Sequence, residues 1–304
     1  MIGRGSSFYF TAAALTLSHQ PARAADEPVR LAPSSPWQLD YADDSCRLAR
    51  QFGEGERKNL LVIERFGPGD PIRVTVSGDT FRRVRSGKEA TLRFGPAESE
   101  QDVAFMKGDW GGTSALIFTG PLRIAPNTEQ EEEAREALEE ANQLHLFEPA
   151  SISPERERAV TFVSVDVSGV PEVVFETGSL GESFAALRKC TDELLTHWGI
   201  DVKRHKSLSR KAVPAGSPQK WLTSSDYPSS LLRKGAQGIV HFRLSVDKEG
   251  NVDGCHIQRS TRPQGFDDAV CHILARRARF EPALDAEGNP IASYYLDTVR
   301  FVIP

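Results

Sequence analysis

Between residues 239 and 257 the chain alternates apolar and polar side chains on both sides of a short turn, and that pattern admits few structures. Val240, Phe242, Leu244 and Val246 fall on one face, and His241, Arg243, Ser245 and Asp247 on the other. A strand of this kind covers a core with one face and meets water with the other. Asp247-Lys248-Glu249-Gly250-Asn251 supplies a hairpin turn, and a return strand from Val252 carries Cys255 and Ile257.

The flanking segments complete an α+β unit. Asp226 is placed to cap a short helix whose first turn holds Pro228, with Leu231 and Leu232 as apolar contacts and Gly235 ending it. Residues 266–279 have helical spacing at Ala269, Val270, Ile273 and Leu274. Asp267 and Asp268 lie in the first turn and Arg276, Arg277 and Arg279 in the last, which suits the helix dipole at both ends. A turn at Glu287-Gly288-Asn289-Pro290 leads into a final strand over 291–303, where Tyr295, Val299, Phe301 and Ile303 share a face. The predicted product is an antiparallel sheet packed by helices, over residues 220–304.

This ordered set resembles the C-terminal domain of the TonB family of periplasmic energy transducers. The resemblance lies in Tyr227-Pro228, Gly238-Ile239-Val240, the turn 247–250 followed by Val252, and Arg259-Ser260. It continues in Phe266-Asp267 with Ala269, in Arg279-Phe280 with Pro282-Ala283, and in Gly288 with Pro290. Cys255 and Cys271 look like the cysteines of a subgroup of the family. The resemblance covers about 80 of 304 residues and implies a module that takes up an extended segment of a TonB-dependent outer-membrane receptor, or of another envelope protein, by strand addition. The implied edge is the last strand: the main chain of residues 293–301, with Ser293, Tyr294, Tyr295, Leu296, Asp297, Val299, Arg300 and Phe301 as partner-binding residues. Phe301 and Val299 also suit plain core filling. Two departures bear on energy transduction. A classical transducer keeps a membrane helix and a long Pro-rich spacer, whereas the 19 prolines here are scattered and a folded domain occupies the spacer's place.

Residues 31–205 read as a mostly β domain of unknown function ending in one long helix. Short β-rich runs at 58–66, 72–77, 90–94 and 114–119 are separated by turns such as Gly67-Pro68-Gly69-Asp70 and Gly111-Gly112, which predicts a small antiparallel sheet or partial barrel. Residues 128–141 form an acidic, solvated helix or loop, and strands follow at 160–167 and 172–175. Ser179 and Glu182 form a capping-box pattern for a helix with Phe184, Leu187, Cys190, Leu194, Leu195 and Trp198 on its apolar face and Gly199 as its C′ residue. Residues 45–52 read as a short helix-like stretch, and 206–219 as a linker whose basic start, Lys203-Arg204-His205-Lys206, could touch an acidic partner.

The first 24 residues read as a cleaved signal peptide: Arg4, an apolar run over 8–17, and Ala22-Arg23-Ala24 as the cleavage site. The expected location is the periplasm, with an inner-membrane tether as the alternative if cleavage fails. In such an oxidising compartment four cysteines read as disulfides, of which three connectivities are possible. Shared position in the terminal module pairs Cys255 with Cys271 and leaves Cys46 with Cys190. A zinc site at Cys255-His256 and Cys271-His272 is disfavoured, because adjacent side chains on a strand or helix diverge. Net charge of −5, 39% hydrophobic and 26% charged residues describe an ordinary globular chain with no general attraction to nucleic acid.

No cofactor and no catalysis is expected. The chain lacks G-x-S-x-G, H-E-x-x-H, P-loop and Cys-x-x-Cys motifs; Asp166-Val167-Ser168-Gly169 is a poor aspartic-protease match; His145, His197 and His205 lack ligand spacing. The alternatives are an envelope enzyme with its site in the first domain, or a structural protein that forms a homodimer.

Overall fold

The computed structural model describes residues 27–303 apart from 56–57, 86–88, 121, 142, 144–146 and 262. The signal-peptide reading and His145 fall outside the described residues. Two hydrophobic cores form, one from residues between Cys46 and Leu194 and one from residues between Ala212 and Phe301.

The first core lies within a ten-stranded sheet. In chain order its strands are β1 (Val29–Leu31), β2 (Gln38–Ala42), β3 (Ser45–Phe52), β4 (Asn59–Arg65), β5 (Arg73–Ser77), β6 (Glu89–Phe94), β7 (Gln101–Trp110), β8 (Thr113–Phe118), β9 (Val163–Val167) and β10 (Val173–Phe175). Their order across the sheet is β1-β10-β9-β6-β7-β8-β5-β4-β3-β2. All neighbours are antiparallel except β1 and β10. After β1 the chain bridges Pro33 to Phe52 of β3, so one end of the sheet is tied back near the other and the whole curls into a partial barrel.

Three helices belong to this unit. The acidic α1 (Glu129–Glu140) buries nothing and is stabilised by a capping box between Thr128 and Glu131. The short α2 (Pro154–Ala159) precedes β9. The long α3 (Gly181–His197) buries Phe184, Leu187, Cys190, Leu194 and Leu195, the stripe its spacing predicts. Its capping box does not form. Leu180 is the N-cap residue, and the Ser179 hydroxyl instead donates to the Arg158 carbonyl at 2.9 Å.

Residues 45–52 are not helical, contrary to the expectation from sequence. They pair with β2 on one side and β4 on the other. Cys46, Leu48 and Phe52 point into the core at strand spacing. Cys46 still meets Cys190, with Cα atoms 6.0 Å apart, and this disulfide fastens α3 across the sheet. Cys255 bonds Cys271 with Cα atoms 5.5 Å apart. Both bonds join the cysteines that domain placement paired.

The supposed linker is ordered. Following α4 (Val202–Lys206), β11 (Val213–Pro214) pairs with β14 (Phe280–Glu281), and Ser209 and Arg210 bond the Leu284 carbonyl. Two residues of its basic start pair within the chain: Arg204 with Asp285 at 2.6 Å and Lys206 with Asp192 at 2.5 Å.

The second unit holds α5 (Ser229–Leu232), β12 (Gly238–Val246), β13 (Val252–Ser260), α6 (Gly265–Arg277), β15 (Ala283–Leu284), β16 (Pro290–Ile291) and β17 (Ser293–Phe301). Asp226 does not cap α5. It closes a turn with Thr223 and forms a two-pronged ion pair with Arg277 on α6, which holds its carboxyl down at about 2. In the hairpin turn the Asp247 carboxylate accepts the Glu249 and Asn251 amides. Gly250 there has φ +83°, and a Cβ would lie 1.9 Å from the Phe280 carbonyl oxygen, so only glycine fits.

The two disulfides close loops of very different length, with sequence separations of 144 and 16. In the chain-entropy model the long one stabilises by about 5 kcal/mol and the short one by about 3. The double variant Cys46→Ala/Cys190→Ala is therefore expected to lower the denaturant midpoint of the first unit more than Cys255→Ala/Cys271→Ala lowers that of the second. Tryptophan fluorescence during urea unfolding measures both.

Candidate functional site

Among the described residues the terminal sheet has three strands in the order β13-β12-β17, so β17 pairs with β12 on one side only. The direction of its backbone groups follows from β12. The Ile239 amide donates to Thr261 Oγ1 and its carbonyl accepts the Thr261 amide, so Ile239 faces β13. Alternation then turns Val240, Phe242, Leu244 and Val246 toward β17, where they stand opposite Val299, Asp297, Tyr295 and Ser293. The intervening residues Tyr294, Leu296, Thr298 and Arg300 direct their N–H and C=O groups outward.

One face of β17 is fixed by the second core. Phe301 stacks on Phe266 of α6 with ring centres 4.1 Å apart, and Tyr227 meets both edge-on. Tyr295 packs against Trp221 and Phe280, and Val299 joins the same cluster. The Cys255–Cys271 bond fastens α6 to β13 at the far side of the sheet.

The other face does not meet water, as the alternation predicted, but lies against the first unit. His241 and Arg243 are only 8% and 5% exposed. The His241 ring stacks on Phe66 at 4.6 Å. The Arg243 guanidinium lies 4.3 Å from the centre of Trp198 and bonds Asp44. From β13, the Gln258 amide donates to the carbonyls of Asp44 and Phe66, both at 2.8 Å.

Arg259 pairs with Glu64, a carboxylate only 1% exposed, which Arg47 reaches at 3.1 Å and the Ser45 hydroxyl at 2.9 Å. Trp110 lies beneath both guanidiniums, 5.8 Å from Arg47 and 4.8 Å from Arg259. On β17, Tyr294 contacts Trp198 edge-on and stacks on His205. The backbone at Gly67 comes so near that a Cβ there would lie 2.6 Å from Leu296 Cδ1.

Thr298 completes the seam. Its hydroxyl oxygen accepts Arg73 Nη2 at 3.1 Å and lies 2.8 Å from His241 Nδ1. With Arg73 donating, the hydroxyl proton is left for Nδ1, which places the ring proton on Nε2. Burial first, then the Arg73 and Arg259 charges, press His241 down to about 3.

Of the eight predicted partner-binding residues, Tyr294 and Leu296 point into this seam, while Tyr295, Val299 and Phe301 point into the second core. Ser293 is buried with its hydroxyl on His205 at 2.8 Å, and Asp297 and Arg300 are exposed. Of the interface residues, Glu64 and Trp110 were not singled out in the sequence, while Trp198, Arg243 and Arg259 were read only as a helix-face, a wet strand-face and a family-motif position. A large aromatic at Tyr294 and two long polar side chains at Arg243 and Arg259, on a supposedly wet face, were the available signal.

A shallow cleft of about 280 Å³ opens on the seam between Asp44, His197, Trp198, Arg243 and His256. Among the described residues no group of three or more His, Cys, Asp or Glu could hold a metal ion. Nor is any described helix long and apolar enough to cross a membrane.

His241 gives the seam a pH signature. Its folded-state value lies below that of the unfolded chain, so the unfolded state binds the extra proton between about 6.5 and 3. Its contribution is complete above the upper value and is lost as pH falls, at no more than about 1.4 kcal/mol per pH unit. His241→Gln is expected to flatten the decline in stability between pH 6.5 and 4, measured by urea unfolding at several pH values in parallel with the wild type.

Comparison with known proteins places the seam's outer partner. No curated protein matches the chain. Residues 223–303 match the family model of the Gram-negative bacterial TonB protein C-terminal, a span that holds β12, β13, α6 and β17 entire. The terminal unit of this α+β chain is a TonB C-terminal domain.

Proposed function

We propose that the chain is an exported envelope protein whose TonB C-terminal domain binds an extended segment of another protein by adding it to the edge of β17. The observation that carries this reading is the one-sided pairing of β17 together with the outward backbone of Tyr294, Leu296, Thr298 and Arg300. An edge of nine residues that carries alternating outward donors and acceptors is a template for strand addition. The partner is an envelope protein, with a periplasm-facing segment of a TonB-dependent outer-membrane receptor as the first candidate, and the location is the periplasm after cleavage near Ala24.

Apart from exposed Asp297 and Arg300, the side chains of β17 have little part in first recognition, because both faces are packed. Affinity in this mode comes from main-chain bonds, and selectivity from exposed Asp297 and Arg300 and from whatever the added strand lays against the two flanking walls. The first unit, residues 31–205, supplies one of those walls, and 206–219 ties it to the domain at 220–304. Its role in this reading is to hold the sheet, and no energy transduction is assigned to it.

Strand addition separates from a purely self-associating role by a direct measurement. Receptor-derived peptides immobilised through one end should retain the chain from residue 25, and N-methylation of alternate peptide amides should abolish retention. Equal retention of methylated and unmethylated peptides would remove strand addition. A concentration-dependent dimer that ignores peptides would replace it with self-pairing through the same edge.

A further inference from the structure

Resting on the role of β17 as a docking strand, we propose that Asp297 guards that edge and selects a segment carrying a lysine or arginine beside it. Of the four outward-facing amides, the one at Thr298 is already taken: it donates to Asp297 Oδ1 at 2.7 Å. The second carboxylate oxygen accepts the Tyr295 hydroxyl at 2.9 Å, which holds the side chain over the strand's margin. Thr298 is also held through its hydroxyl by Arg73 and His241, so both its amide and its side chain are tied.

A charged side chain folded over an otherwise open edge is a known means of keeping strands of like molecules apart. Here the contact is reversible, because Asp297 is exposed and only its carboxylate, not its backbone, blocks the ladder. A segment that pairs with Thr298 must take over that amide and swing the carboxylate aside. The displaced carboxylate then stands next to the incoming residue on the same face of the sheet, where its strand neighbours are Tyr295 and Val299. Its neighbours on that face are an aromatic and an apolar side chain, and Arg73 and Arg300 act on the charge only from farther off, so an incoming cation on that face is what pairs it directly. Opposite charges at facing cross-strand positions attract and like charges repel.

Two measurements test this on the full chain from residue 25. Amide exchange followed by NMR reads the guard without any partner. Thr298 is expected to exchange slower than Leu296 and Arg300 in the wild type, and about tenfold faster in Asp297→Ala, a change at an exposed side chain that leaves both cores intact. Exchange at Thr298 as fast as at its outward neighbours, or unchanged in Asp297→Ala, would overturn the guard.

Binding reads the selection. The probes are alternating valine-threonine peptides long enough to pair with Ser293–Phe301, carrying lysine or glutamate at the position beside Asp297. The lysine peptide should bind the wild type several-fold more tightly, Asp297→Ala should bind both about equally, and Asp297→Lys should reverse the preference. Equal binding of the two peptides to the wild type overturns the selection while leaving strand addition intact. Failure of both peptides, or indifference to N-methylation, removes the docking role itself and the selection with it, whatever the exchange rates show.

Discussion

The arrangement of the molecule depends on the carboxylate of Glu64. It is almost wholly buried, and Arg47 from its own unit and Arg259 from the TonB domain share it over the ring of Trp110. A charge removed from water at this depth is tolerable only while it is paired and hydrogen-bonded, so withdrawing Arg259 would leave it under-compensated. The same displacement would uncover His241, Arg243 and Gln258, whose partners are Phe66, Trp198 and the carbonyls of Asp44 and Phe66. The polar seam therefore holds the two units in one relation through matched groups rather than through a shared hydrophobic core.

That relation decides what the terminal sheet can offer. A three-stranded sheet with one helix has one face without cover, and here the first unit supplies the cover. With α6 on one side and the first unit on the other, the side chains of β17 are mostly spoken for, and its free chemistry is concentrated in outward backbone groups and in Asp297 and Arg300. The segment between the units follows the same logic. Arg204, Lys206 and Arg210 pair with Asp285, Asp192 and Glu281, so a run of cations that looks like a basic patch carries little net attraction for an outside acid.

The parts of the fold that could be read from the sequence are those whose signals are local. The β12–β13 hairpin, the dipole-matched α6 and the apolar stripe of α3 each carry their own periodicity and ends, and each lies within a few residues of its expected span. The pairing of the four cysteines could be read because each pair belongs to one unit. Residues 45–52 misled because Cys46, Ala49 and Arg50 satisfy a helical rhythm as well as Cys46, Leu48 and Phe52 satisfy a strand, and the ladder with β4 made the choice. Strand β7 was missed because Lys107, Gly108 and Asp109 break its alternation. The caps at Ser179 and Asp226 were lost to tertiary partners, the Arg158 carbonyl and Arg277, which compete for the same groups.

The sequence by itself determined that the last eighty residues form a hairpin, helix and terminal strand, and its resemblance to the TonB family implied that this strand is the sheet's edge. Alternation says which residues share a face and whether that face is apolar. It does not say what lies against a polar face, because histidine, arginine and glutamine are satisfied equally by water or by the carbonyls, carboxylates and rings of another unit. Only the tertiary structure decided that the polar face is dry, since the residues that dry it stand far away along the chain, from 45 positions for Trp198 and Arg243 to 229 for Gly67 and Leu296. For the same reason it alone placed Glu64 between two arginines and set the carboxylate of Asp297 over the one backbone amide at the middle of the edge.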